Sequence, residues 1–312
     1  MDIQIQFASD VVDQFEELLI SHGISIPRHE QTNADMLPLW RIINFVRNKE
    51  EVSLDTQRDL FTAGVAMHDL ASKVLAVKDS SQFPILLPHL KLLVEGAIHL
   101  TQEPPSPADS YNKLIELYWA CLCIGKNFPV ALDDPLHADG TNPDVITLNA
   151  AGGKERAYAF KTIRSKHTQN ILDHLTKGVD QIQRSDAQEG IVALHLTPRL
   201  NTKDLWPTGA YFADYRFAGK YIRGAMVTMV SQVIWDNGQA AIDAIFSGKK
   251  AVGTVLCIAF TPMVAAHPIT QRPTFMPFKV PVLVNLATTV SMTSSLAYEL
   301  REANEGMQLY LG

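Results

Sequence analysis

Apolar residues recur along this chain with two different periods, and the change falls near residue 125. Before it the spacing is helical. Val11, Val12, Phe15, Leu18 and Leu19 follow the capping pair Ser9-Asp10, and Gly23 ends the run. Ser53 heads a second run through Leu54, Leu60, Phe61, Val65, Met67 and Leu70, and Pro88 opens a third through Leu90, Leu92, Leu93 and Ile98. Ser106, Pro107 and Asp109 then supply a cap, a first-turn proline and an acid for the helix dipole. The apolar face that follows is Tyr111, Leu114, Ile115, Tyr118, Trp119 and Leu122, closed by Gly125; Glu116 falls off it, as a solvated helix acid would.

Beyond residue 125 short apolar runs take over. Strands are expected over 128–132, 144–148 and 157–163, the last two joined by a hairpin-length link that holds Gly152 and Gly153. A helix over 168–184 carries the stripe Ile171, Leu172, Leu175, Val179 and Ile182. A buried strand over 190–196 follows, then a long helical stretch over 220–246 that breaks at Asp236-Asn237-Gly238, strands over 252–260 and 280–286, and a C-terminal helix. Short links make the first three strands an antiparallel meander, whereas strand–helix–strand demands a parallel pair. The expected fold class is α/β: a mixed β-sheet flanked by helices over residues 106–312, preceded by an α-helical N-terminal domain over residues 1–105. Glu103-Pro104-Pro105-Ser106-Pro107 marks the break between them.

Composition narrows the function classes. The 312 residues are 46% hydrophobic and 19% charged, which suits an ordinary packed core. A formal net charge of −6 gives no global attraction to polyanions, so a nucleic-acid site has to be a local basic patch. Cys121, Cys123 and Cys257 show no disulfide or zinc spacing and read as buried small hydrophobes. The N-terminus lacks a basic stretch leading into an apolar core, and the apolar run 251–266 contains Pro262 and is shorter than the ~20 residues of a membrane span. A cytoplasmic protein with no membrane partner is expected.

The chemistry concentrates in 143–181. With the 149–156 link centred near Gly152-Gly153, Asp144 is expected opposite Lys161, with Cβ atoms about 4.5–5.5 Å apart. Side chains 159 and 161 share a face because strand side chains alternate. A carboxylate, a lysine and the Phe160 backbone carbonyl would then converge. A divalent ion held by oxygen ligands activates water for phosphodiester hydrolysis, and a lysine stabilises the charge that develops on phosphorus.

Pro143-Asp144 and Ala159-Phe160-Lys161, within this order of elements over roughly 107–262, resemble the PD-(D/E)xK superfamily with its restriction-endonuclease-like fold. The resemblance implies that Asp144 and Lys161 are catalytic, that Glu116 on the preceding helix joins them, and that Asp144, Glu116 and the Phe160 carbonyl hold magnesium. The chain departs from the family where Ala159 replaces the second acid. Some members move that acid to the following helix, where Asp173, Asp180 and Gln181 are the candidates; Glu155 shares the parity of Lys161 but lies about 20 Å along the strand.

Arg164, Lys166, His167 and Lys177, with Lys161, His174 and Arg184, form a local basic cluster against an acidic background. It is the expected docking place for DNA or RNA, next to a helix N-terminus. The implied function is nucleic-acid binding, either as a magnesium-dependent nuclease with a relocated acid or as an inactive nuclease-like module binding nucleic acid or a protein. The helical N-terminal region is the expected surface for a protein partner or a second copy. Two weaker signals remain. His68-Asp69 resembles the dipeptide of HD phosphohydrolases, with His29, His89 and His99 in no matching pattern, and 198–219 is a loop rich in aromatics with Arg199, Lys203 and Arg216.

Overall fold

The computed structural model describes residues 4–5, 9–24, 66–95, 109–133, 142–200, 211–288 and 290–309. The 103–107 break, the helix start at Ser53, His29, His99 and the loop residues 201–210 lie outside them. Strands β1 (Gln4–Ile5), β2 (Val130–Leu132), β3 (Val145–Leu148), β4 (Lys154–Thr162), β5 (Glu189–His195), β6 (Thr254–Ala266) and β7 (Pro273–Asn285) form one sheet in the order β1-β7-β6-β5-β4-β3-β2. The meander β2-β3-β4 is antiparallel, β4-β5 and β5-β6 are parallel, and β6-β7 is a long antiparallel hairpin. The fold is α/β with a mixed sheet flanked by helices.

The helices are α1 (Ser9–Ser21), α2 (66–75), α3 (Leu87–Glu95), α4 (Asp109–Gly125), α5 (Thr168–Arg184), α6 (Tyr215–Asn237), α7 (Gln239–Phe246) and α8 (Ser294–Gln308). The α5 boundaries match the periodicity, since Ile171, Leu175, Val179 and Ile182 are buried as one stripe. The break at Gly238 is also where the sequence places it: its φ of 80° belongs to the left-handed region that glycine enters without steric cost.

Strand alternation sorts the core into two layers. Val145, Tyr158, Phe160, Ile191, Ala193, Leu256 and Ile258 face α4 and α8 in one cluster, which also takes in Val11, Phe15 and Leu19 of α1 and Met67, Leu70 and Val74 of α2. Ala157, Ala159, Val192, Leu194, Val255 and Cys257 face α5, α6 and α7 in the other. Each fully buried aliphatic or aromatic side chain contributes roughly 1.5–3 kcal/mol. Trp119 locks α4 to β4 through its ring contacts with Tyr158 at 5.3 Å and Phe160 at 5.7 Å between centroids.

β6 runs on to Ala266 and α6 starts at Tyr215, both longer than expected, and two further differences concern β7 and the β3-β4 pair. β7 starts at Pro273 rather than near residue 280, because the proline-rich stretch before it pairs in register with β6 as far as Ala266↔Pro273. The β3-β4 register also differs. Val145 faces Tyr158 and Ile146 faces Ala157, so Asp144 stands level with residue 159, two short of Lys161. The turn is asymmetric: Asn149 Oδ1 accepts from the Ala151 and Gly153 amides, Gly152 takes a positive φ, and the ladder shifts at Thr147/Leu148.

Candidate phosphodiester site

Asp144 and Lys161 come together despite the shifted register. Their side chains meet diagonally, with Lys161 Nζ 3.6 Å from Asp144 Oδ2, and each keeps 13% of its surface accessible. The same carboxylate oxygen accepts from the Phe160 amide at 2.6 Å, while the Phe160 carbonyl accepts from Lys161 Nζ at 2.8 Å. Carboxylate, ammonium and peptide group therefore form a closed ring at the exit of β4.

Glu116 joins them, but as a buried residue, not the solvated helix acid that its place off the stripe suggests; it retains 2% exposure. The cause is α4 itself, which is buried on all sides from Leu114 to Ile124, between the sheet, α3 and α8. Glu116 Oε2 accepts from Lys113 Nζ at 2.9 Å and lies 3.4 Å from His89 Nε2 of α3. Lys113 is the partner the sequence could have supplied, since positions i and i+3 are neighbours on a helix. His89 had no such signal.

The two acids lie near enough for each to shift the other's titration. Burial pushes the Asp144 carboxyl up to about 7; Lys161 pulls it down and Glu116 pushes it up further. Glu116 is raised by the same burial, against the pull of Lys113. Burial works to lower Lys113, but the charge and hydrogen bond of Glu116, together with the charges of Asp144 and Asp133, hold it above its ordinary value.

Ala159, where the resemblance calls for an acid, is fully buried against α5. The helix comes so near at Gly178 that a Cβ there would meet both Val192 methyls at 3.0 Å and the Ala159 Cβ at 3.5 Å. The relocation candidates on α5 have other engagements. Asp173 accepts from Gln169 at 2.9 Å, Asp180 pairs with Lys249 at 3.4 Å, and Gln181 is buried. Glu155 pairs with Arg156 at 2.8 Å. As a magnesium cradle the set is one carboxylate short: Asp144, Glu116 and the Phe160 carbonyl remain, each already facing a lysine. Among the described residues no group of three or more His, Cys, Asp or Glu is placed to hold a metal ion.

The basic cluster divides. Arg164, Lys166 and His167 are exposed on the link leaving β4, two to five residues beyond the site strand. Lys177 is exposed on α5, and the charges of Lys177 and Lys161 both act on His174, whose ring is lowered first by burial and then by them. Arg184 sits at the far end of α5, about 24 Å away at 1.5 Å per residue. His68-Asp69 is structural: Asp69 accepts from Tyr118 Oη and Lys279 Nζ, both at 2.8 Å.

Compared with protein-family models, curated proteins and solved structures, the chain gives no match. Among the described residues no helix is long and apolar enough to cross a membrane.

Proposed function

We propose that this chain is a nucleic-acid-binding protein of the PD-(D/E)xK nuclease-like class, built on a restriction-endonuclease-like core from α4 to β5, and that it grips phosphodiesters without cleaving them. The observation that carries this reading is the Asp144–Lys161 pair, 3.6 Å apart, one residue before β3 and the other within β4, with Glu116 of the preceding helix acting on Asp144. The sealed Ala159 favours binding over hydrolysis. Two carboxylates balanced by two lysines leave little net negative charge to retain a divalent cation, and a proton on Asp144 leaves the lysines in excess.

In this reading Lys161, Arg164, Lys166, His167 and Lys177 meet the phosphate backbone from a cytoplasmic, non-membrane protein. Phosphate approach favours the neutral form of Asp144, because an added negative charge disfavours a neighbouring one. The test is retention of labelled single- and double-stranded DNA and RNA, with and without magnesium or manganese, by the native protein and by Lys161→Ala. The expected result is salt-sensitive retention without cleavage, weakened in the variant. Metal-dependent cleavage abolished in Lys161→Ala would restore the nuclease reading. Retention of no nucleic acid at low salt would remove both and leave a protein-binding module.

A further inference from the structure

Toward the opposite edge of the sheet, where β7 runs on past its two pairs with β1, lies a groove that the Asp144 site does not use. Strand β7 forms its floor, α6 one wall and α8 the other. Two cavities of about 530 Å³ each line up along it and share Arg223, Pro281 and Asn304. From Phe278 to Leu283 the floor runs about 17 Å at ~3.3 Å per residue.

Its charge is one-sided. Arg216, Lys220, Arg223, Lys279 and Arg301 line the two cavities, and among the described residues neither is lined by an aspartate or glutamate, in a chain whose acids outnumber its lysines and arginines by 33 to 27. Three of these cations are matched from outside the lining: Arg216 by Asp214 at 2.6 Å, Lys279 by Asp69 at 2.8 Å, and Arg301 by Glu302 at 3.3 Å. Among the described residues Lys220 and Arg223 form no ion pair, and they stand at i and i+3 on one face of α6. Lys220 lies over the Phe217 ring at 5.7 Å. Tyr215 on the groove wall, with Phe217 and Tyr221 on the adjoining turns, is exposed.

The floor discriminates between extended anions. A peptide added as a strand needs free main-chain donors and acceptors along the edge. Pro281 has no N–H, and the Lys279 carbonyl already accepts from Gln308 Nε2 at 3.0 Å. A nucleic-acid strand needs neither, because its phosphates take the cations and its bases stack on aromatic rings. We infer that this groove is a binding track for single-stranded nucleic acid, with Lys220 and Arg223 on phosphates and Tyr215 as a stacking platform. It is separate from the Asp144 site: Lys161 aligns through Leu194 and Cys257 with Val282, three strands away, about 14 Å at ~4.8 Å per strand.

The experiment is fluorescence anisotropy with a labelled single-stranded oligonucleotide of about a dozen nucleotides, titrated against the full chain, Lys220→Glu/Arg223→Glu, Tyr215→Ala and Lys161→Ala. Circular dichroism checks that each variant is folded. The double charge reversal should weaken binding at least tenfold and reduce the salt slope by about 1.4, two contacts at ~0.7 each. Tyr215→Ala should weaken a normal oligonucleotide more than an abasic one of equal length. Unchanged affinity in the double variant, with loss in Lys161→Ala, overturns the groove while sparing the other site. Loss in the double variant alone upholds the groove and removes the other site. Equal or tighter binding of poly-glutamate than of the oligonucleotide overturns the choice of occupant.

Discussion

Gly178 lies directly over Ala159: a Cβ on the glycine would approach the alanine Cβ at 3.5 Å and the Val192 methyls at 3.0 Å. The contact fixes how close α5 sits to the sheet and closes the position where the nuclease resemblance calls for an acid. Restoring that acid is therefore a packing problem before it is a question of metal binding. Ala159→Glu should lose about 2–4 kcal/mol in a urea titration, because it overpacks a filled layer and buries a charge. Gly178→Ala should lose about 1–3 kcal/mol for the same contact. An Ala159→Glu protein as stable as the parent would mean that the layer has room, and would reopen the metal site.

The Asp144 carboxyl, raised to about 7, sets a pH dependence with a definite sign. Its ordinary value is 3.8, so between pH 4 and 7 the native state holds more protons than the unfolded one, and stability from this group falls as pH rises through that window. Above about 7 the dependence flattens. Partial exposure of the side chain limits the effect to a few kcal/mol at most. Carbon-detected NMR titration of the Asp144 carboxyl should give a midpoint near 7, and Asp144→Asn should remove the slope. A midpoint in the ordinary carboxylate range would contradict the packing of this cluster.

Proton uptake should also accompany phosphate binding. Affinity for a phosphodiester oligonucleotide should rise as pH falls from 8 to 6, by up to about tenfold per unit at fixed salt. Parallel anisotropy titrations with Asp144→Asn should show a weaker dependence. An identical pH profile in both proteins would place the binding elsewhere.

Asp69 is the counter-ion of two buried lysines, Lys279 at 2.8 Å and Lys73 at 3.7 Å, and Lys73 also donates to the Leu309 carbonyl at the end of α8. Burial lowers both lysines, Lys73 to about 8. Removing the acid leaves two buried ammonium groups facing each other, so Asp69→Ala should cost about 3–5 kcal/mol at pH 7 by chemical denaturation. Lys73→Met should be close to neutral there, since Lys279 still pairs with Asp69. Stability carried by Lys73 should increase as pH rises from about 8 toward 10.5, because the native state releases its proton first.

The fold was most legible where one local signal acted alone. The α5 stripe, the break at Gly238 and the meander followed by a parallel pair can all be read from spacing. The β3-β4 register could not be read to the residue, because the Asn149 turn and the shift at Thr147/Leu148 depend on side-chain hydrogen bonds that periodicity does not encode. β7 begins seven residues before the expected 280–286, its Pro273 and Pro277 lying opposite Ala266 and Pro262 of β6. The meeting of Asp144 with Lys161 was legible from motif and element order, although not its register. Glu116's burial depends on what packs around α4 from α3 and α8, and His89 arrives from a segment with no spacing to announce it.

The central claim is that Asp144 and Lys161 form a phosphodiester grip. Its most direct test is footprinting by photo-crosslinking, with a benzophenone introduced at Lys166 beside the site and labelled single- and double-stranded oligonucleotides as probes. The account predicts crosslinks that salt suppresses, that Lys161→Ala diminishes at least tenfold, and that leave the oligonucleotide at full length with magnesium present. Crosslinks of equal yield with and without Lys161, or no crosslink to either probe at low salt, would contradict it.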